Sequence, residues 1–443
     1  MFDFLKAIIL AGAALGCAVH GFARDYVITD YGVQQGDSTL LQTSAIQAVI
    51  DRAEADGGGR VVVPQGTYLT GALFFKPGTK LHLEKDATLK GSDEIENFPL
   101  IPSRMEGRSI YYHAAVINAY HVDGFSITGS GTINGNGLKY WKEFWDLRSE
   151  RAKEGRSCTN LEVRRPRLVF VWGCDSVHFD GVNLVNSAFW TNHFYQCNNL
   201  LIENCRIQAP NKPVKAPSSD AIDLDVCSNV VIRGCYLDCN DDGVCIKGGK
   251  GVYAHKSIEN GIVENVLVED CTFGPALHGI LTMGSECIHA KNITLRNCKL
   301  LTDCTILRFK MRPDTYQLYE DITVKNVTGT CGTVVELKPW TQFFTLEGSN
   351  EKPFGTVRNI VIEDIDVDCK SLCFIGAKTD MADNKANDKA LGFGEGKSET
   401  KVSDFTLRNV KVKAKNPDFT CVYPSVKFEN VSVNGHIVSN PAK

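Results

Sequence analysis

The stretch Leu200-Leu-Ile-Glu-Asn-Cys-Arg-Ile207 joins a strand-like run of alternating apolar and polar residues to a second short run. The same pattern returns at Val230–Leu237, Val266–Phe273 and Ile293–Leu300. Similar runs lie on both sides of this region, roughly 20–40 residues apart, which is the range typical of solenoid repeats. A single repeat cannot bury its apolar face alone, so stacked neighbours must build one continuous core.

No helical pattern separates these runs, which predicts an all-β, right-handed parallel β-helix with coils one strand spacing apart. One helix pattern stands apart, from Thr43 to Ala53, and Asp56-Gly-Gly-Gly59 ends it. A helix there would cap the open first coil, as the ends of a solenoid require. Two segments break the repeat, residues 134–168 and 376–401. We expect both to be long loops at the rim.

Composition sets limits on the class of protein. The 443 residues are 43% hydrophobic and carry a formal charge of −4, which suits a large core and argues against general nucleic-acid binding. Residues 1–23 have the features of an export signal, and their apolar run is too short to span a membrane. Plain secretion is favoured over lipid attachment at Cys17. We therefore expect residues 24–443 to form one domain of a monomeric protein, periplasmic or extracellular.

The cysteines follow the repeat. Cys205, Cys235, Cys271 and Cys298 occupy the same position in successive units. This favours small buried residues stacked on one another, and disulfides in an exported protein are the alternative. The sequence contains no Cys-x-x-Cys pair, so no metal site is predicted.

A set of chemically active residues also recurs on consecutive repeats. In order, they are Asp220, Asp241, Asp242, His278, Arg308 and Lys310. Paired carboxylates perform glycoside hydrolysis, and neighbouring aspartates raise each other's pKa so that one stays protonated. Arg308 and Lys310, two apart on a strand, point the same way and suit a carboxylated sugar. Each group alone has an ordinary structural explanation, but their order at repeat spacing favours a site.

These motifs resemble those of family 28 of the glycoside hydrolases, the polygalacturonases and their rhamnogalacturonan-cleaving relatives. The family carries Asn-Thr-Asp, Gly-Asp-Asp, Gly-His-Gly and Arg-Ile-Lys in this order. The corresponding segments here are Ser218-Ser-Asp220, Asn240-Asp-Asp242, Leu277-His-Gly279 and Arg308-Phe-Lys310. The resemblance covers nearly the whole mature chain, including Gly57–Pro64.

The resemblance implies proton-transfer roles for four residues. Asp241 would be the general acid, and Asp220 and Asp242 would hold and deprotonate the attacking water. His278 would keep the proton of the acid in place. The family inverts at the anomeric carbon and needs no metal, so no cofactor is expected.

The resemblance also implies a substrate, an acidic plant cell-wall polysaccharide such as pectin or its oligosaccharides. Arg308 and Lys310 would grip a galacturonate carboxylate. His193, one coil before Asp220, is a candidate sugar contact. Trp340 is another, because it ends the stretch where many polygalacturonases have a substrate-contacting tyrosine.

Four residues beside the motifs depart from the family pattern. They are Ser218, Asn240, Leu277 and Phe309. We expect all four to touch the sugar-binding shell, which would leave the reaction intact and the substrate open. Homogalacturonan fragments come first, rhamnogalacturonan backbone second and substituted galacturonans third. The two predicted loops could close one end of the groove and make the enzyme exo-acting.

Two alternative functions are considered, and one expected distance conflicts with the inverting mechanism. A polysaccharide lyase would need calcium-binding carboxylates and a different base, and a non-catalytic carbohydrate-binding β-helix belongs to another class altogether. Carboxylates one coil apart would lie about 5 Å from each other, closer to the spacing of retaining than of inverting enzymes. The family resemblance nevertheless implies inversion.

Overall fold

Parallel strands run along the whole length of the structure, a computed structural model that describes residues 24–156, 158–376 and 400–441. The export signal predicted for residues 1–23 lies outside the described residues. So does nearly all of the second predicted loop, 376–401. Among the described residues, no helix has the length and apolar character needed to cross a membrane.

In chain order, strands β1 to β34 are Asp25–Val27, Gly59–Val63, Gly66–Thr70, Leu73–Phe75, Thr79–Leu83, Ala87–Gly91, Leu100–Met105, Arg108–His113, Ile117–Tyr120, Ser126–Gly129, Thr132–Asn134, Val169–Trp172, Asp175–Asp180, Asn183–Val185, Asn192–Tyr195, Asn198–Glu203, Arg206–Gln208, Ile222–Asp225, Ser228–Arg233, Tyr236–Asp238, Asp242–Lys247, Ile262–Glu269, Thr272–Phe273, Gly279–Met283, His289–Leu301, Thr305–Met311, Gln317–Thr330, Thr333–Pro339, Gly355–Cys369, Ser371–Ile375, Lys401–Ala414, Thr420–Cys421, Val426–Val433 and His436–Ile437. The α-helices are α1 (Thr43–Ala55) and α2 (Leu138–Lys153), and short 3-10 helices cover Ile28–Tyr31, Ile95–Asn97 and Ala254–Lys256.

The strands stack in parallel ladders, one strand of each coil per ladder. An 11-stranded sheet has the order β4-β9-β12-β15-β18-β21-β24-β26-β28-β30-β32, and every neighbouring pair in it is parallel. A second ladder runs from β1 to β33, and a third runs from β3 to β23 and joins the second at β25. The predicted right-handed parallel β-helix is confirmed.

The interior is one continuous apolar cluster that extends from Tyr26 to Val433. Cys205, Cys235 and Cys271 lie in it as buried free thiols. Within the described part of the chain no disulfide is present, which confirms the prediction of stacked small buried residues. Because the thiols stack coil on coil, they contribute to packing like other small apolar side chains.

The residue before each of the four repeat cysteines, Cys298 included, has a left-handed backbone conformation. Asn204, Asp270 and Asn297 have φ of 55°, 54° and 55°, and Gly234 has φ of 62°. Asn, Asp and Gly adopt this conformation at lower cost than other residues. The recurrent Asn, Asp or Gly before cysteine in the sequence therefore marks the bend between two strands of one coil.

Helix α1 was predicted from the sequence, whereas helix α2 was not. Helix α1 buries Ile46, Val49, Ile50 and Ala53 against the first coils, so the predicted cap is confirmed. The predicted loop over 134–168 is wrong for α2, which occupies 16 of its residues. Its buried aromatic side chains recur at helical spacing, a signal that the sequence interpretation overlooked.

Strands β7 and β8 form an antiparallel hairpin outside the ladders. Arg104 on this hairpin donates a hydrogen bond of 3.1 Å to Asp225 on β18. The hairpin thus lies over the outer face of the 11-stranded sheet, the face on which the candidate residues stand.

Candidate active site

The aspartates and the histidine begin consecutive strands of the 11-stranded sheet. The Ala221 N–H donates to the carbonyl of Asp242 at 2.9 Å, and the His278 N–H donates to the carbonyl of Asp241 at 3.0 Å. These backbone bonds fix Asp220, Asp241 and His278 at the starts of three stacked coils. The predicted recurrence of acid and base on neighbouring coils is confirmed.

The cations lie further along the strands. Arg308 on β26 is in register with Thr282 on β24, while Asp242 is in register with Gly279. Both cationic side chains reach back to one carboxylate. Lys310 donates to Oδ2 of Asp242 at 2.6 Å, and Nη1 of Arg308 is 3.8 Å from Oδ1 of the same residue.

The three aspartates have unequal surroundings. Asp220 and Asp242 are buried, with oxygens within 4.8 Å of each other, whereas 29% of the Asp241 side chain is exposed. Burial and then the charges of Asp241 and Asp223 raise the pKa of Asp220. Burial alone would raise the pKa of Asp241 as well. The hydrogen bond from His278 and the charges of Lys310 and Arg308 outweigh that effect and hold the pKa of Asp241 below its usual range. Of these two residues, Asp220 and not Asp241 has the surroundings that favour the protonated form.

A fourth aspartate, Asp223, was missed from the sequence. It is fully buried, both of its carboxylate oxygens lack a hydrogen-bond donor among the described residues, and its nearest cation is Lys247 at 3.5 Å. Burial raises its pKa to about 7, against the opposing charge of Lys247. The alternation Ile222-Asp-Leu-Asp225 carried the signal, because it places two aspartates on the outer face of a buried strand.

His278 lies between the carboxylate of Asp241 and the ammonium group of Lys215. Its Nδ1 is 3.6 Å from Oδ1 of Asp241, and its Nε2 is 2.8 Å from Nζ of Lys215. An ammonium group can only donate, so Nε2 accepts from Lys215 and Nδ1 carries the proton that faces Asp241. This arrangement orients the ring toward the aspartate without requiring an imidazolium.

The β7–β8 hairpin covers the outer face near the carboxyl ends of the strands that follow the aspartates and His278. Arg104 is buried with Asp225 and also donates to Asn260 at 2.5 Å. At the hairpin tip, Gly107 is packed so closely that a Cβ there would meet Glu286 at 3.0 Å. The side chains of Arg308 and Lys310, on the neighbouring β26, retain some exposure. The hairpin thus covers the outer face around Asp225, while the cation pair remains partly accessible.

A family model described as glycosyl hydrolases family 28 matches residues 57–433. The chain belongs to this family. The predicted family resemblance is therefore confirmed.

The family 28 chain is similar to curated proteins over part of their length. It is 28% identical to a probable polygalacturonase of Vitis vinifera over 284 residues, which is 62% of this chain and 53% of that protein. It is also 28% identical to an exo-poly-alpha-D-galacturonosidase of Dickeya chrysanthemi, over 52% of this chain and 43% of the other. It thus spans about half the length of these relatives.

Solved structures share the fold over more of the chain. An exopolygalacturonase from Thermotoga maritima superposes with a TM-score of 0.74 at 22% identity, covering 94% of this chain and 93% of the other. A family 28 exopolygalacturonase from Yersinia enterocolitica superposes with a TM-score of 0.68 at 21% identity, over 95% and 79%. At this identity the likeness concerns the fold.

Trp340, the other candidate sugar contact, lies beside the cations of the family motif. Its ring is 4.9 Å from Nζ of Lys310 and 5.3 Å from Cζ of Arg308, within the range of cation–π attraction. Trp340 is partly exposed, as a side chain that contacts a sugar must be. Glu336 also adjoins the pair, 3.6 Å from Nε of Arg308.

The structure removes His193 from the residues that can contact a sugar. Its side chain has no exposed surface, and it accepts a hydrogen bond of 2.7 Å from Arg167. Its other nitrogen is 3.6 Å from Asp225, which Arg104 also binds. The sequence analysis placed His193 one coil before Asp220, and β15 does pair with β18. The hairpin that covers His193 could not be foreseen from the sequence.

The structure also shows where the four residues that depart from the family motifs lie. Asn240, Leu277 and Phe309 are buried, so their side chains do not face a bound sugar, although each is next in sequence to a residue of the predicted site. Asn240 donates its side-chain amide to the carbonyls of Ala209 and Pro210, while the other two lie in the core cluster. Ser218, the fourth departure, is partly exposed. Three of the four changes therefore lie in the packing beneath the site.

Two groups of side chains in the described residues have metal-ligand spacing. Asp220, Asp242 and Cys245 form one, but the ammonium of Lys310 already bonds Asp242 and would repel a cation there. His178, Asp180 and Glu203 form the other, at which Arg233 donates to Glu203 at 2.9 Å. Neither donor set is a closed cage, and no step below uses a metal.

Proposed function

We propose that this protein is an inverting glycoside hydrolase that cleaves galacturonic-acid-containing pectic chains from one end. The observation that carries the proposal is the placement of Arg308 and Lys310 against a buried aspartate pair. A hydrolytic centre with two cations at its edge suits an anionic sugar. The names of the similar proteins, polygalacturonase and exo-poly-alpha-D-galacturonosidase, support the same substrate class.

The buried aspartates suit the activation of water. Their oxygens lie within 4.8 Å of each other, so one water between Asp220 and Asp242 can hydrogen-bond to both. We propose that this pair holds and deprotonates the attacking water. Asp241, more exposed and oriented by His278, would protonate the leaving oxygen from the other face of the bond. The short distance between Asp220 and Asp242 then concerns the water and not the acid, which removes the conflict with inversion.

Asp241 must gain a proton to act as an acid, although its surroundings in the free protein favour the carboxylate. Two of the groups that lower its pKa are Lys310 and Arg308. A substrate carboxylate bound by these cations would offset their charge and so raise the pKa of Asp241. On this account, substrate binding itself prepares the acid, and burial raises the pKa of the nearby Asp220, which favours its protonated form.

The covered groove supports exo action. His193 on β15 and Asp225 on β18 are buried beneath the hairpin, whereas Arg308 and Lys310 on β26 are partly exposed. We propose that the hairpin limits how far a polymer extends past the aspartates. Pectic polymers occur outside the cytoplasm, in agreement with the export predicted from residues 1–23.

A time course on homogalacturonan, rhamnogalacturonan and defined oligogalacturonides tests the proposal. We expect mono- or disaccharide from the first time point on homogalacturonan, with inverted configuration by NMR. Early products of mixed length would contradict exo action, and product of retained configuration would contradict inversion. An unsaturated product absorbing in the ultraviolet would indicate a lyase, and binding without cleavage a non-catalytic protein.

A further inference from the structure

Lys215 is a cation beside the aspartates for which the proposed mechanism has no use. It belongs to the loop between β17 and β18 and is partly exposed. Its ammonium contacts Nε2 of His278 at 2.8 Å. Among the described residues, no carboxylate is close enough to form an ion pair with it, although Asp241 is near enough to act on it electrostatically.

Helix α2 holds this lysine in place. The Trp145 indole N–H donates to the backbone carbonyl of Lys215 at 2.7 Å. The helix is itself anchored, because Trp141 donates to the carbonyl of Ser187 at 3.0 Å. Arg148, one turn after Trp145, lies over its ring at 5.4 Å and adds a second positive charge. The segment that interrupts the repeat thus builds a cationic edge beside the site.

The two groups of cations flank the aspartates from different directions. Arg308 and Lys310 stand on β26, several residues into the strand, and are held by Asp242. Lys215 approaches from the side where the strands begin, through His278. Partial burial lowers the pKa of Lys215, with Asp241 acting in the opposite sense. A partly desolvated ammonium without a carboxylate partner gains most from an anionic ligand.

We propose that Lys215 binds the carboxylate of a second uronic acid, across the scissile bond from the one held by Arg308 and Lys310. The inference rests on the proposed function and specifies its substrate. Consecutive sugars of a 1,4-linked uronic acid chain are rotated about the chain, so their carboxylates face different walls of a groove. Cations on two sides of the aspartates match that alternation.

The consequence is a choice between two pectic backbones. In homogalacturonan, both sugars at the scissile bond carry a carboxylate. In a backbone where galacturonate alternates with a neutral sugar, only one does. A site that uses both groups of cations therefore selects contiguous, unesterified uronic acids.

Kinetics of the full-length protein on unesterified and highly methyl-esterified homogalacturonan, with Lys215→Met, Lys215→Arg and Lys212→Met, test this inference. We expect Lys215→Met to raise KM on the unesterified polymer about tenfold or more, whereas any change in kcat through His278 should be the same on both polymers. The variant should also lose most of the wild-type preference for unesterified substrate. Lys215→Arg should retain that preference. Lys212, an exposed lysine in the same loop, is the matched control and should behave as wild type.

Other outcomes overturn the inference in distinguishable ways. An equal fall in kcat on both substrates at unchanged KM would make Lys215 a positioning residue for His278. Wild-type kinetics for Lys215→Met, or equal cleavage of homogalacturonan and rhamnogalacturonan by the wild type, would overturn the second subsite and leave the hydrolase function standing. If the wild type cleaves no uronic acid polymer, both proposals fall.

Discussion

Asp241 and Asp242 are neighbours in the chain with opposite surroundings. Asp242 begins β21, is buried, and receives the ammonium of Lys310. Asp241 lies just before the strand, partly exposed, with His278 as its nearest charged or polar partner. Adjacent residues entering a strand point to different sides, so one dipeptide supplies both a water-binding group and an acid that can reach the substrate.

Asp241→Asn tests the proposed acid. We expect kcat to fall by about 10²–10⁴-fold, because the amide cannot donate a proton to the leaving oxygen. Release of reducing ends from oligogalacturonides is the measurement. Asp303→Asn, at a side chain that is 71% exposed, is the matched control. Near-wild-type activity of Asp241→Asn would transfer the role of acid to another residue.

Asp223 should make stability depend on pH. Its pKa is about 7 in the folded protein against a usual value of 3.8. The folded state therefore binds more protons than the unfolded state between about pH 4 and 7, and stability from this group is lost as pH rises through that range. The effect is on the order of 4 kcal/mol, since one pKa unit corresponds to about 1.4 kcal/mol.

Chemical denaturation of the wild type and Asp223→Asn from pH 4 to 8 measures this effect. The difference in free energy of unfolding between the two should shift in favour of the asparagine variant as pH rises. A difference that does not change with pH would show that Asp223 is ionised in the folded protein throughout.

At the scale of elements, additions to the repeat shape the site. The hairpin of β7 and β8 covers the outer face of the 11-stranded sheet, and α2 supplies the wall that holds Lys215. Both elements interact with the solenoid through polar groups, such as Arg104 with Asp225, as well as through apolar contacts. The stacked coils give a regular platform, and these additions decide which part of it a polymer can reach.

Arg104→Met tests the attachment of the hairpin. Without the Arg104 guanidinium, Asp225 is a buried charge that has lost its ion-pair partner, which lowers the free energy of unfolding by about 3–5 kcal/mol. Denaturant unfolding should show this loss. Arg108→Met on the same hairpin is the control, because its pair with Glu347 is largely exposed and contributes about 1 kcal/mol or less. Equal, small effects of both substitutions would mean that the hairpin is held by other contacts.

At the scale of the whole molecule, one apolar core without disulfides in the described residues connects the coils. The stacked cysteines contribute as buried apolar groups, which oxidising surroundings do not alter while the protein stays folded. The strength of the fold therefore lies in coil-to-coil packing and backbone hydrogen bonds.

The melting temperature should consequently not respond to a reductant. We expect the same value with and without excess dithiothreitol, because no cross-link is broken. Thiol titration of the denatured protein should find the cysteines of the described residues free. A fall of several degrees in the reductant would reveal a disulfide and contradict the stacked-thiol arrangement.

Much of the site was predictable because catalysis here uses the repeat itself. Asp220, Asp241, His278 and Arg308 recur at coil spacing, and residues one coil apart must stack. Asp223 was not predicted as a site residue because it lies within a strand and belongs to none of the recurring motifs. Lys215 escaped because its contact with His278 joins segments far apart in the chain.

The sequence by itself determined the solenoid, the face of the sheet that carries the acids, and the order of the groups along it. Local alternation and fixed spacing set these features, and both are properties of short segments. Only the tertiary structure decided that His193 is covered, that the pKa of Asp220 is raised while that of Asp241 is lowered, and that Lys215 contacts His278. Burial and electrostatic interactions depend on which distant segments pack together, and a repeat pattern in the sequence does not contain this information.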